Sequence, residues 1–293
     1  MDLKSKLKQL LLNNRPNLSQ NTVKTYISVL STLYNRVTNN SENVDINVFN
    51  DTEAMLKYIS IFNKNQSKKT ILSSLFVLTG NLVFQEKMKE YSKLVNESYK
   101  DRKTDPNRLK NKPTIEQLKE IYKEYKHKLD INPTIENYMN YFIVSVSSGI
   151  IMPVRRNLDW TEMKIRNYNK ITDNCILQKQ FLFNQFKTVK YVKPENRFVD
   201  IPNELNKYIK RYKKLNVSDY LLIKKNGKKF SSSELTKKLN SIYGNHIGID
   251  VLRSVSLQQD KDLIDALAVL KKKTTEMGTS VESASNFYIK NDI

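Results

Sequence analysis

Four short stretches of this chain hold residues that could work on a phosphate ester. Ser147-Ser148-Gly149 leads into Arg155-Arg156-Asn157-Leu158-Asp159-Trp160, a turn followed by paired arginines and an acid. Asn184-Gln185-Phe186-Lys187-Thr188 carries a lysine on what reads as a strand entering a hairpin. Ile249-Asp250-Val251-Leu252-Arg253 adds an arginine just before a helix, and Asn286-Phe287-Tyr288 adds a tyrosine. The types matter for a physical reason. A guanidinium is planar, stays charged and fits two phosphate oxygens at once. An ammonium can give a proton to a departing oxygen. A tyrosine hydroxyl can attack phosphorus and keep the ester bond in covalent form.

Those residues need elements to position them. Up to residue 99 the pattern is helical. Ser19 offers a cap, and Val23, Tyr26, Ile27, Leu30, Leu33, Tyr34 and Val37 then recur at three-to-four spacing. Met55, Tyr58, Ile59 and Phe62 form a second stripe, and Ile71, Leu72, Leu75, Phe76, Leu78 and Leu82 a third, weakened at its end by Gly80. The polar run 39–43 separates the first two. Residues 100–113 hold two prolines and almost nothing apolar, which reads as a basic linker between domains.

From residue 114 onward the pattern changes. Thr114 and Glu116 open a helix bearing Ile115, Leu118, Ile121, Tyr122 and Tyr125, and another runs from near Pro133 to Ser147. Strand-like runs follow at Cys175-Ile176-Leu177, at Phe181-Leu182-Phe183, from Thr188 to Val192 and from Arg197 to Ile201. Lys193-Pro194-Glu195-Asn196 reads as the turn between the last two. Helices return around Asn203 to Leu215, Ser232 to Tyr243 and Asp260 to Lys272. The fold class is therefore mainly α with a small antiparallel sheet (α+β). The domains expected are a helical one over 1–99, the linker 100–113 and a second domain over 114–293.

The bulk composition narrows the partners. Fifty Lys plus Arg against thirty Asp plus Glu give a formal charge of +20 and favour a polyanion. AT-rich codon usage is a second source of lysine, and charge alone does not separate DNA from RNA. No apolar run approaches the about 18 residues of a membrane span, and no signal peptide is apparent in the given sequence. Cys175 is the sole cysteine, so no internal disulfide forms and an intracellular, reducing compartment is expected. His127 and His246 leave no zinc cluster, and no cofactor is expected.

The order of the four motifs, with Met277-Gly278-Thr279-Ser280 shortly before Tyr288, resembles the tyrosine recombinase (phage-integrase-like) family. It is similar in particular to divergent forms in eukaryotic DNA viruses and mobile elements. The likeness runs from about Thr114 onward, and 1–99 resembles the family's core-binding domain. The resemblance implies a metal-independent, site-specific recombinase or integrase that cleaves and rejoins double-stranded DNA through a 3′-phosphotyrosine. It further implies a homotetramer on DNA and no membrane association. Five residues follow Tyr288, which leaves little tail for exchange between protomers.

The roles implied are also residue-specific. Arg155 or Arg156 is the first phosphate clamp, with Arg156 favoured because it stands three residues before Asp159. Lys187 is the general acid, with Lys190 in reserve on the same hairpin face. Arg253 is the second clamp and Tyr288 the nucleophile. Asp250, Ser254 and Thr279 stand where the family often has histidines. Losing one such donor typically costs about 10²–10³ in rate. The hydroxyls of Thr279 and Ser254 could replace part of that. Asp250 would repel a phosphate unless an arginine pairs with it. Two alternatives therefore stand beside the recombinase: a weakened, recombinase-derived DNA-binding protein and a type IB topoisomerase-like enzyme. A generic basic helical protein binding RNA is a third.

Overall fold

The computed structural model describes residues 2–39, 44–100, 112–224 and 226–285. The chain divides into two compact units, Met1–Thr104 and Asp105–Ile293. Much of the expected linker, 101–111, lies outside the described residues, as do 40–43 of the polar run.

The first unit is built of five helices: α1 (Leu3–Asn14), α2 (Gln20–Val37), α3 (Thr52–Ser60), α4 (Asn65–Thr79) and α5 (Leu82–Lys100). Four begin on side-chain caps, where Asp2, Ser19, Asp51 and Asn81 accept from backbone N–H groups that the helix leaves open. Gly80 does more than weaken the third stripe. At φ +73 it ends α4, and α5 begins two residues later. The apolar stripes close on one core, with Leu7, Leu11, Leu30, Leu72, Leu75, Phe49 and Phe84 fully enclosed.

The second unit starts with α6 (Ile115–Ile131), whose capping box joins Thr114 and Gln117. The next helix, α7 (Ile135–Ser147), is buried at every residue from Tyr138 to Ser147. It is the axis around which this core forms. Then follow α8 (Asn157–Thr161), β1 (Met163–Lys164), β2 (Asn174–Leu177), β3 (Gln180–Leu182) and β4 (Phe198–Asp200). The unit ends with α9 (Asn203–Leu215), α10 (Ser232–Tyr243), α11 (Ile249–Gln258), α12 (Lys261–Glu276) and α13 (Val281–Ser283). Tyr208 and Tyr212 of α9 stack with Tyr138, Tyr141 and Phe142 of α7. Among the described residues no helix is long and apolar enough to cross a membrane.

Three sequence expectations are corrected. The sheet is mixed, because β1 runs parallel to β2 while β2–β3 and β3–β4 are antiparallel. A two-residue strand such as β1 has no alternation to reveal it. The run from Thr188 to Val192 is not a strand: Val189–Tyr191 is a 3₁₀ turn, and the Arg197 guanidinium donates to the carbonyls of Val189 and Val192. Those bonds hold the segment folded, so Pro194–Arg197 is a second 3₁₀ turn rather than the bend of a hairpin. Lys187 and Lys190 accordingly sit on the long β3–β4 connection and share no strand face. Finally, Arg253 lies inside α11 rather than before a helix.

Candidate phosphate-binding and catalytic site

The turn after α7 determines what the loop carrying the paired arginines can reach. Gly149 adopts φ +76, and a Cβ there would stand 2.8 Å from Ser256 Oγ and 2.9 Å from Ser256 Cβ. Only glycine allows this contact without displacement. Ser256 lies three residues after Arg253 on α11. The close approach therefore seats the 149–156 loop against the helix that bears the second arginine.

The acid at the centre of this arrangement is Asp159, which α8 buries to 3 % exposure. Arg155 Nε donates to its Oδ2 at 2.9 Å. The Arg155 guanidinium carbon lies 3.8 Å from the Phe183 ring centroid and 5.2 Å from that of Phe186. Trp160 meets Phe181 and Phe183 edge-on beneath it. Arg155 is thus held by its Nε and its flat face, and its two Nη atoms make no hydrogen bond among the described residues. Those Nη atoms could donate to a second acceptor such as an oxyanion.

Arg156 stands differently. It is the extended N-cap of α8, half-buried; its carbonyl accepts from Asp159 N–H at 3.1 Å, and its side chain makes no hydrogen bond or ion pair among the described residues. The three-residue spacing that singles out Arg156 in the sequence is not the spacing at which Asp159 is paired. The ion pair forms at i,i+4, between Arg155 and Asp159, with both arginines ahead of a helix that begins at Asn157.

Electrostatics tie Arg253 into the same group. Burial pushes the Asp159 carboxyl above its ordinary value, and Arg155, Arg156 and Arg253 together oppose that rise. Burial lowers the Arg155 guanidinium, Asp159 opposes it, and Arg156 and Arg253 add to the lowering by repulsion. Three cations from segments far apart in sequence thus share one field. Asp250 Oδ1 stands 3.9 Å from Arg253 Nη1 with its side chain 75 % exposed, a weak solvated pair. With Asp159 and Asp250 set against the three guanidiniums, the cluster keeps an excess of positive charge.

The lysine approaches through Asn174, a residue that sequence reasoning missed. This buried amide donates from Nδ2 to Asp159 O (3.0 Å) and Gln185 O (2.9 Å). Its Oδ1 accepts from the N–H groups of Asn184 (2.8 Å) and Gln185 (2.6 Å). Both donors and both acceptor positions are used. Asn174 therefore ties α8 to the strand exit that leads through Phe186 to Lys187. Lys187 itself is exposed, one residue beyond the Phe186 ring that faces Arg155. Lys190 is exposed too, its Nζ 4.7 Å from the Tyr191 ring.

The Met277-Gly278-Thr279 motif is a helix stop. Gly278, at φ +68, donates to Thr275 O, and Thr279 N–H donates to Thr274 O at 2.9 Å. Ser280 then caps α13. Thr279 makes no bond to the arginine cluster among the described residues, and Ser254 is exposed on α11. His246 lies in the loop before α11 at φ +68. Tyr288 falls outside the described residues.

The other residues missed by sequence reasoning are Phe183, Phe186, Gly149 and Ser256. The alternating phenylalanines at 181 and 183 were the one available signal, and they read only as strand core. Among the described residues no group of three or more His, Cys, Asp or Glu side chains could hold a metal ion.

No protein-family model matches the chain, and no curated protein sequence does either. Among solved structures it is similar to a lambda integrase (75–356) dimer bound to a COC′ core site. That likeness has a TM-score of 0.48 at 16% identity over 87% of each chain. A second, lambda integrase (75–356) bound to DNA, gives a TM-score of 0.45 at 16% identity, over 90% of this chain and 89% of that one.

Proposed function

We propose that the chain binds duplex DNA and breaks and rejoins it through a 3′-phosphotyrosine, as a site-specific recombinase of the tyrosine class. The observation that carries this reading is the buried Arg155–Asp159 pair, seated on the Phe183 and Phe186 rings and lying within the field of Arg156 and Arg253. Buried acids gather arginines for structural reasons too. Here, however, the Nη atoms of Arg155 and the guanidinium of Arg156 have no hydrogen-bond partner among the described residues and could take another anion. The reading stands on these residues and not on the structural likenesses.

In this reading the Tyr288 hydroxyl attacks the scissile phosphorus and gives up its proton to water, forming one P–O bond as the bond to the 5′ oxygen breaks. Lys187 gives the proton that the leaving 5′ oxygen needs. Arg155 and Arg253, with Arg156 beside them, stabilise the charge that builds on the non-bridging oxygens. The free 5′ hydroxyl of the same or another strand then reverses the step. No net bond energy is lost, so no co-reactant is required. Four protomers joining two duplexes would make the exchange reciprocal.

A second reading is a protein that holds DNA without cutting it. It is favoured by Thr279, whose N–H serves the helix stop, and by Asp250, which places a carboxylate beside Arg253. A nicked suicide duplex separates the two. The recombinase reading expects a covalent protein–DNA adduct that is lost in Tyr288→Phe. An adduct that survives this change removes Tyr288 from its role. Salt-sensitive duplex binding with no adduct on any substrate selects the second reading.

A further inference from the structure

Helix α12 (Lys261–Glu276) differs from its neighbours in what it leaves uncovered. Leu263, Ile264, Leu267 and Leu270 recur at the spacing of one helix face. The matching faces of α9 and α10 are buried. On α12, Leu263, Ile264 and Leu267 are 45, 37 and 47 % exposed, and Leu270 is half-buried. Its one buried residue is Thr274, in the last turn. A helix of 16 residues is marginal by itself in water and gains most of its stability from a covered apolar face.

The charges on α12 indicate what would cover that face. Asp260, Asp262 and Asp265 make its beginning acidic despite Lys261, and Lys271, Lys272 and Lys273 make its end basic despite Glu276. Asp260 is occupied as the cap by Leu263 N–H. Asp262, Asp265 and the three lysines have no ion pair among the described residues. Acids first and bases last suit the dipole of the helix itself. The same order also makes α12 complementary to an inverted copy of itself. Asp262 and Lys273 are separated by about three turns, so they lie on one flank of the apolar stripe, about 16 Å apart along the axis.

We propose that α12 is a self-association surface, on which two copies of the chain pair antiparallel about a two-fold axis. Leu267 of each copy meets its counterpart near the axis, with Leu263, Ile264 and Leu270 packed beside it. A two-fold contact presents the same patch from both sides, so Asp262 of each copy comes level with Lys273 of the other. Charge thus sets the antiparallel direction, and the apolar stripe supplies the attraction. The pairing concerns the chain without DNA and does not rest on the cleavage reading.

The test is sedimentation of the full chain, without DNA, over a range of concentrations. One helix pair lies at the small end of specific interfaces, so the shift from monomer to dimer is expected at roughly micromolar concentration. Leu267→Glu should remain monomeric while keeping the helical circular dichroism of the parent. Asp262→Lys and Lys273→Asp each set like charges opposite one another, and each alone should weaken self-association about tenfold or more. Mixed together, those two variants should form a dimer that neither forms with itself. A chain that is monomeric at every concentration overturns the proposal and leaves the stripe to another part of the same chain. So does a dimer that Leu267→Glu leaves intact, or a mixture that associates no better than its components. Adduct formation on the suicide duplex is read separately, so the failure of either reading is distinguishable from that of the other.

Discussion

A single carboxylate organises the candidate site. Asp159 is buried, yet only Oδ2 is bonded, and the partner is the half-buried Arg155; Oδ1 has no partner. Removing one member of such a pair leaves the other charge without compensation, which is costlier than the pair is stabilising. Asp159→Ala should therefore lower stability by about 3 kcal/mol, read by urea unfolding at neutral pH. A loss under about 0.5 kcal/mol would show that Arg155 is already satisfied by its aromatic faces and solvent, and would end the organising role given to Asp159. The sequence named Arg155, Arg156 and Asp159 but not which arginine is bound. Both precede α8, and what distinguishes Arg155 is its seat on the Phe183 and Phe186 rings, which come from residues about thirty positions away.

The elements bring the arginines together through two devices of different legibility. Asn174 joins α8 to the Lys187 connection by four hydrogen bonds, and nothing in an Asn before a strand announces this. The Gly149 turn is half legible: a Ser-Ser-Gly after an apolar helix reads as its end, but not as a contact with Ser256 on α11. Gly149→Ala would incur both a left-handed φ and a contact that real Cβ atoms do not make. The expected cost is about 1–3 kcal/mol, with weaker duplex binding as the loop moves from Arg253. Adding Ser256→Gly relieves the contact but not the dihedral strain, so stability should return in part. Full recovery would place the whole cost in the contact, and no recovery would place it in the backbone.

By contrast, α9 and α10 occupy the spans expected from their periodicity, Asn203–Leu215 and Ser232–Tyr243. Their signals are local: an apolar face, and for α10 a Ser231–Glu234 capping box. The misread segment, Thr188 to Val192, has the β-branched and aromatic content of a strand. It folds otherwise because the Arg197 side chain, just beyond that pattern, takes the carbonyls of Val189 and Val192.

At the scale of the whole molecule the dominant fact is a formal charge of +20. Binding to duplex DNA should then be driven largely by counterion release, whatever happens at the tyrosine. Wild type and Tyr288→Phe are expected to bind a duplex equally. If about six phosphates are contacted, both should lose about 10³ in affinity between 50 and 200 mM salt. Competition assays at each salt would show it. A flat salt response, or tighter binding to RNA of matched length, would turn the charge toward the alternative of a basic RNA-binding protein.

The sequence by itself determined the helical character of both units, most helix spans, the basic charge and the list of residues suited to phosphate chemistry. Each of these follows from composition or from patterns within a few turns of chain, where propensity, capping and periodicity act. Only the tertiary structure decided the parallel β1–β2 pairing, the pairing of Asp159 with Arg155, the seat of Lys187 on a loop and the meeting of α11 with the 149–156 loop. Those depend on contacts between residues far apart in the chain. A buried acid, one amide and one glycine make the contacts around Arg155, Lys187 and α11, and none of the three carries a local pattern that announces its partner.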